Sequence, residues 1–214
     1  GGNSPDIYIM VSKIDICNQG LVLIGANTIA SFTDNTTESK VSNQLYETTL
    51  RSMLTKARWR FASKQAQLSK LATNPLDKWD SAYQIPNDAI LIHTLTVSDN
   101  VIVFDRYNEE LFTNTSTNDI VVCHYTYQPH EAELPDYFVQ ALVFELASLF
   151  AGAIARNDNL STLYQRRAQQ QLLLARSTES QTQTTRKLNT SLLIEVRNRG
   201  TADGIRAVVP SSSS

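Results

Sequence analysis

Between Trp59 and Asp88 the hydrophobic period of this chain changes from that of a helix to that of a strand, which limits it to folds with both kinds of layer. Upstream, Tyr46, Leu50, Met53, Leu54, Ala57 and Phe61 recur at three- and four-residue spacing, one face of a helix. Downstream, Leu91, His93, Leu95 and Val97 alternate with Ile90, Ile92, Thr94 and Thr96, the two-residue period of a strand. The crossover holds Trp59-Arg60-Phe61-Ala62, a second tryptophan at Trp79, and the break Tyr83-Gln84-Ile85-Pro86-Asn87-Asp88. Large aromatics at such a handover are core residues first, so Trp59 and Phe61 are expected to pack the helical layer against the sheet.

The same patterning divides the rest of the chain. Ser12 or Lys13 to Ile24 reads as a short apolar helix ending near Gly25, although Gly20 inside it is a poor helix former. Asn35 followed by Glu38 resembles a capping box for the second helix. In the strand region, Ser98-Asp99-Asn100 reads as a turn and Val101 to Phe104 as its return strand. Glu110 to Thr113 is a short strand, Asn114 to Asp119 a polar loop, and Ile120 to Gln128 the clearest strand. Pro135-Asp136 opens a third helix whose apolar residues, from Val139 to Leu149 and Phe150, cover more than one stripe and mark it as central. Asp158 or Asn159 caps a fourth helix, with Leu160, Leu163, Leu172, Leu173 and Leu174 inward against an Arg/Gln-rich face. Ser177 to Thr185 is polar and of low complexity, followed by the apolar island Leu188 to Val196.

These elements predict an α+β fold: a four-helix bundle with a small antiparallel β-sheet inserted between the second and third helices, plus an extended C-terminal arm. The boundaries are a lead over 1–12, the bundle over 13–60 and 135–182, the β module over 61–134, and the arm over 183–214. The apolar run in the third helix carries Gln140, Glu145 and Ser148, and a mid-span carboxylate is costly in lipid, so no membrane anchor is expected. Residues 1–155 hold 10 basic and 17 acidic side chains, residues 156–214 hold 9 and 4, and the whole chain carries −2. An acidic body with a basic tail fits a tail that meets an acidic neighbour.

Chemistry finds little foothold. Cys17 and Cys123 read as buried free thiols. His93, Cys123, His124 and His130 fall short of the two close ligand pairs of a structural zinc site, so no metal is expected. Glu109-Glu110, Glu131/Glu133 and Asp77/Asp80 could supply paired carboxylates for glycoside hydrolysis, but all lie in turn-like stretches where carboxylates are solvated. Glu145 is read as half of an ion pair with Arg58 or Arg60. No phosphate-binding glycine loop and no nucleophile elbow occur, so no catalytic residue and no cofactor are assigned. Arg51, Lys56, Arg58, Arg60, Lys64 and Lys70 around Trp59 and Phe61 could grip a nucleic-acid strand by charge and stacking, if the rings were exposed.

Several segments occur in an order that resembles the tail tubular protein A family, the head–tail adaptors of short-tailed bacteriophages. They are Lys13-Ile14-Asp15-Ile16-Cys17-Asn18-Gln19, Ile24-Gly25-Ala26, Phe32-Thr33-Asp34, Asn43-Gln44-Leu45-Tyr46, Trp59-Arg60-Phe61-Ala62, Tyr83 to Asp88, and Tyr125 to Phe138. The likeness runs from about Val11 to Arg176. It implies a dodecameric ring in the virion neck, assembled in the host cytoplasm, between a portal protein and a nozzle like tail tubular protein B. Double-stranded DNA would pass through the lumen without sequence specificity, with tail fibres as a further partner, and no cofactor comes with the family. On this reading Arg186, Lys187, Leu192, Leu193, Ile194, Val196, Arg197 and Arg199 of the arm would make portal and inter-subunit contacts. Asn114, Thr115, Ser116 and Thr117 would face the nozzle. The contrasting class is a virion-associated polysaccharide hydrolase or sugar-binding tail component, which the acid-rich loops would serve.

Overall fold

The computed structural model describes residues 11–181. Four helices and seven strands follow in chain order: α1 (Lys13–Leu23), α2 (Thr37–Thr55), β1 (Ser63–Gln67), β2 (Ser81–Gln84), β3 (Ala89–Val97), β4 (Asn100–Ile102), β5 (Phe104–Tyr107), β6 (Glu110–Thr113), β7 (Val121–Tyr127), α3 (Asp136–Ala153) and α4 (Asp158–Gln181). Single 3₁₀ turns lie at Arg60–Ala62 and Glu131–Glu133.

The expectation of a four-helix bundle with one small sheet is corrected. The helices meet chiefly through α3, which α1, α2 and α4 each pack against, while α4 barely touches α1 or α2. The cause is the breadth of the apolar surface on α3. Phe138, Val139, Ala141, Leu142, Val143, Leu146, Ala147 and Phe150 are all buried, too wide a band for a single bundle seam. By length and composition Asp136–Ala153 could also cross a membrane, but 56% of it is buried inside the protein.

The β region forms two antiparallel sheets, ordered β1-β7-β3-β4 and β2-β6-β5. Between β4 and β5 the chain changes sheet at Val103, whose carbonyl accepts a hydrogen bond from Thr113 Oγ1 at 2.7 Å. The expected return strand Val101–Phe104 is therefore split. Asn100–Ile102 pairs with β3, whereas Phe104 starts a strand that pairs with β6. The β3–β4 turn is a two-residue one at Ser98 and Asp99, both with positive φ (48° and 64°), the sense that matches strand twist.

There are accordingly two cores. The helical core gathers Ile16, Leu21, Tyr46, Leu50, Leu54, Trp59, Leu142, Leu146 and Phe150. Leu95, Val121, Cys123 and Tyr125 of one sheet meet Tyr83 and Leu111 of the other in the second core. Cys17 lies in the first core and Cys123 in the second, both as free thiols. Burial pushes each thiol up to about 12.

Local signals explain the helix ends. Ser12 caps α1 reciprocally with Asp15, and Gly25 ends the helix region at φ 73°. Gly20 is inside α1 because that helix approaches α3 closely: a Cβ there would stand 3.2 Å from the Phe150 ring. The α2 cap is Thr36, not Asn35, its hydroxyl accepting from Ser39 N at 3.2 Å. At α4 the Asn157 side chain takes the Leu160 N–H at 3.0 Å, one residue before the expected cap. Pro135 stands just before α3 as its N-cap. The helix α4 also continues through Ser177–Gln181, part of the stretch expected to be a polar linker.

Candidate interaction surfaces

The helix–sheet junction is built around Trp59. Its indole is fully buried, meets Phe61 and Phe138 at ring distances of 5.7 and 5.2 Å, and donates Nε1–H to the Met53 carbonyl at 3.1 Å. Phe61 is half-buried against the same cluster, 5.0 Å from Phe138. An indole buried in this way has no face left for a base. Two of the basic side chains around it are also engaged. Lys56 pairs with Glu145 at 3.3 Å, and Lys64 pairs with Asp88 at 2.8 Å while lying over the Tyr127 ring. Glu145 is thus half-exposed and pairs with Lys56, in place of the expected Arg58 or Arg60.

Behind the junction sits Glu179, near the end of α4 and only 4% exposed. Its carboxylate accepts the Arg60 backbone N–H and the Tyr137 hydroxyl, tying α4 to the 3₁₀ turn and to the start of α3. Burial, aided by that carboxylate, raises the Tyr137 hydroxyl well above its ordinary value. Sequence reasoning missed Glu179 because it lies in a polar stretch. The one available signal was its spacing from Ala168 and Ala175, the small residues of the buried face of α4.

The polar loop assigned to a nozzle contact divides in two. Asn114 and Thr115 are structural: Asn114 Oδ1 accepts the Asp80 N–H, and the Thr115 hydroxyl bonds Tyr83 at 2.7 Å and Ser81 at 3.0 Å. Ser116 and Thr117 are exposed, with Ser116 N–H turned back to Asp119 at 2.7 Å. The histidines do not gather. His93 bonds Thr126, His124 bonds Gln65 and Thr96, and His130 caps the turn after β7. The arm residues Arg186, Lys187, Leu192, Leu193, Ile194, Val196, Arg197 and Arg199 lie outside the described residues.

Among the open apolar surfaces of the described residues, two bear on function. On α4, Leu163, Leu173 and Leu174 are 43, 65 and 61% exposed, where the sequence pattern expected them inward. Tyr164, Ala168 and Ala175 take the buried positions instead, and Tyr164 donates its hydroxyl to the Leu23 carbonyl. The second surface is a cleft beside β5 and β6, walled by Leu76, Trp79, Tyr107 and Phe112. No protein-family model matches the chain, and no curated protein matches it significantly.

Proposed function

We propose that this chain is a virion structural protein, a head–tail adaptor that forms a dodecameric ring between the portal protein and the nozzle and lines part of the DNA ejection channel. The observation that carries the reading is the outer face of α4. Three leucines stand wet on a 24-residue helix, with Arg166 and Arg167 exposed among them. Apolar residues exposed on one helix mark a protein contact, and a head-to-tail contact between identical subunits makes a ring where its rotation closes. The resemblance of several segments, in their order, to the tail tubular protein A family supplies the kind of ring. No group of three or more metal-ligating side chains occurs among the described residues.

The arm from Arg186 to Val196 and beyond would then dock on the portal and the next subunit, with its arginines pairing with carboxylates there. Ser116 and Thr117 are the loop residues left for the nozzle, since Asn114 and Thr115 bond to the strand end at Asp80 and Ser81. The test is native mass measurement and electron microscopy of the full chain, alone and with a portal ring. Rings are expected, and Leu173→Asp with Leu174→Asp should abolish them while leaving the subunit's melting temperature unchanged. A chain that stays monomeric with the portal present refutes the proposal, as does a doubly substituted chain that still assembles.

A further inference from the structure

The cleft beside β5 and β6 has a composition that an apolar partner would waste. Its volume is about 520 Å³, within the roughly 300–1,000 Å³ of small-ligand sites. The wall is aromatic. Tyr107 is 52% exposed and pairs with Phe112 at 4.9 Å, while Trp79 is held from behind by Asp105, which accepts its Nε1–H at 3.0 Å. Lys78 lies over the Trp79 ring and pairs with Asp105 at 3.1 Å, so its charge is matched by a neighbouring carboxylate. Leu76, fully exposed, forms the lip.

Around this apolar wall stand polar ends that no protein group satisfies. Among the described residues the Thr73 hydroxyl, the Asn74 amide, the Glu110 carboxylate and the Tyr107 hydroxyl make no hydrogen bond or ion pair, and all four residues line the cleft. A purely apolar surface seated there would strip water from those four groups and return no partners. A ligand with one apolar face and a girdle of hydroxyls satisfies both the rings and the polar ends.

We infer that this cleft binds a neutral oligosaccharide, with a sugar ring stacked on Tyr107 and its hydroxyls shared by Glu110, Asn74 and Thr73. The carboxylate accepts from two adjacent hydroxyls, and the amide both donates and accepts. No bond is made or broken in this step. The inference is independent of the ring proposal, because the site is complete within one subunit.

The two tryptophans provide the readout. Trp79 borders the cleft, whereas Trp59 is sealed in the helical core and should not respond. The labelled full chain is applied to an array of neutral oligosaccharides of glucose, galactose, mannose, rhamnose and N-acetylhexosamines, and any retained sugar is titrated against tryptophan emission. Saturable binding with a change in Trp79 emission is expected, still present in Trp59→Phe. Tyr107→Ala should remove the binding, and Glu110→Ala should weaken it by at least roughly tenfold, the factor that even one of its two charged hydrogen bonds carries. Both positions lie on the protein surface, and circular dichroism checks that the variants fold. Retention of no sugar above the Tyr107→Ala background overturns the inference, as does binding that survives Tyr107→Ala. A cleft that instead binds a proline-rich peptide in the same titration also overturns it.

Discussion

Replacing Glu179 by alanine should loosen the junction between helices and sheets more than its place in a polar helix end would suggest. The carboxylate accepts two hydrogen bonds, from the Arg60 N–H and the Tyr137 hydroxyl, at a site that is 4% exposed. A hydrogen bond to a charged group contributes about 1.5–3 kcal/mol, and the abandoned donors keep part of their desolvation cost. Tyr137 is half-buried and can turn its hydroxyl toward water, so the lower end applies to that bond. Together the loss comes to about 3–4.5 kcal/mol, or roughly 6–18 °C in melting temperature for a chain of this size. Glu179→Gln keeps the shape and one acceptor and should lose about half as much. In a double-mutant cycle with Tyr137→Phe, thermal unfolding followed by circular dichroism should give a coupling of about 1–2 kcal/mol. The same variant should speed hydrogen exchange in the last turns of α4, because Glu179 is what holds them down. A Glu179→Ala melting curve that overlays the parent's refutes this account of the junction.

Three further outcomes follow from the same geometry. Trp59→Ala should cost about 3–5 kcal/mol, read in a urea titration, since the indole is fully buried and its N–H satisfies the Met53 carbonyl; an unchanged midpoint would mean the ring is not core. Cys17 and Cys123, with thiols pushed up to about 12 by burial, should resist a water-soluble disulfide reagent in the native protein and both react once it is unfolded; fast native labelling would contradict their placement. Asp88 is held below its ordinary value by the Lys64 hydrogen bond first, with the Tyr125 hydroxyl adding to it. Its contribution to stability is present above the unfolded carboxylate value, about pH 4, and lost as pH falls through the depressed folded one. Asp88→Asn should therefore flatten the acid limb of stability against pH, and an unaltered limb would exclude the pair as its source.

Sequence alone determined which faces of α2 and α3 turn inward, because a buried stripe must repeat at the helical period. Tyr46, Leu50, Met53 and Leu54 on α2 and the broad apolar band of α3 are buried as that period requires. The alternation in Ile120–Gln128 likewise marks β7, with Val121, Cys123 and Tyr125 all facing the core. Short polar strands carry no such record. β1 reads Ser-Lys-Gln-Ala-Gln and exists because β7 offers it hydrogen-bonding groups along the full register from Ser63 to Gln67. The split of the β region into two sheets falls at Val103, where the Thr113 hydroxyl bonds the backbone from ten residues away. Nothing in the hydropathy of either residue announces it. Glu179 and the α4 leucines show the same limit from opposite sides: a carboxylate is buried where two donors converge on it, and leucines stay outside where small Ala168 and Ala175 let α4 sit close on α3. Period records what one element must hide from water, whereas the choice of partner is made only when elements distant in sequence arrive beside it.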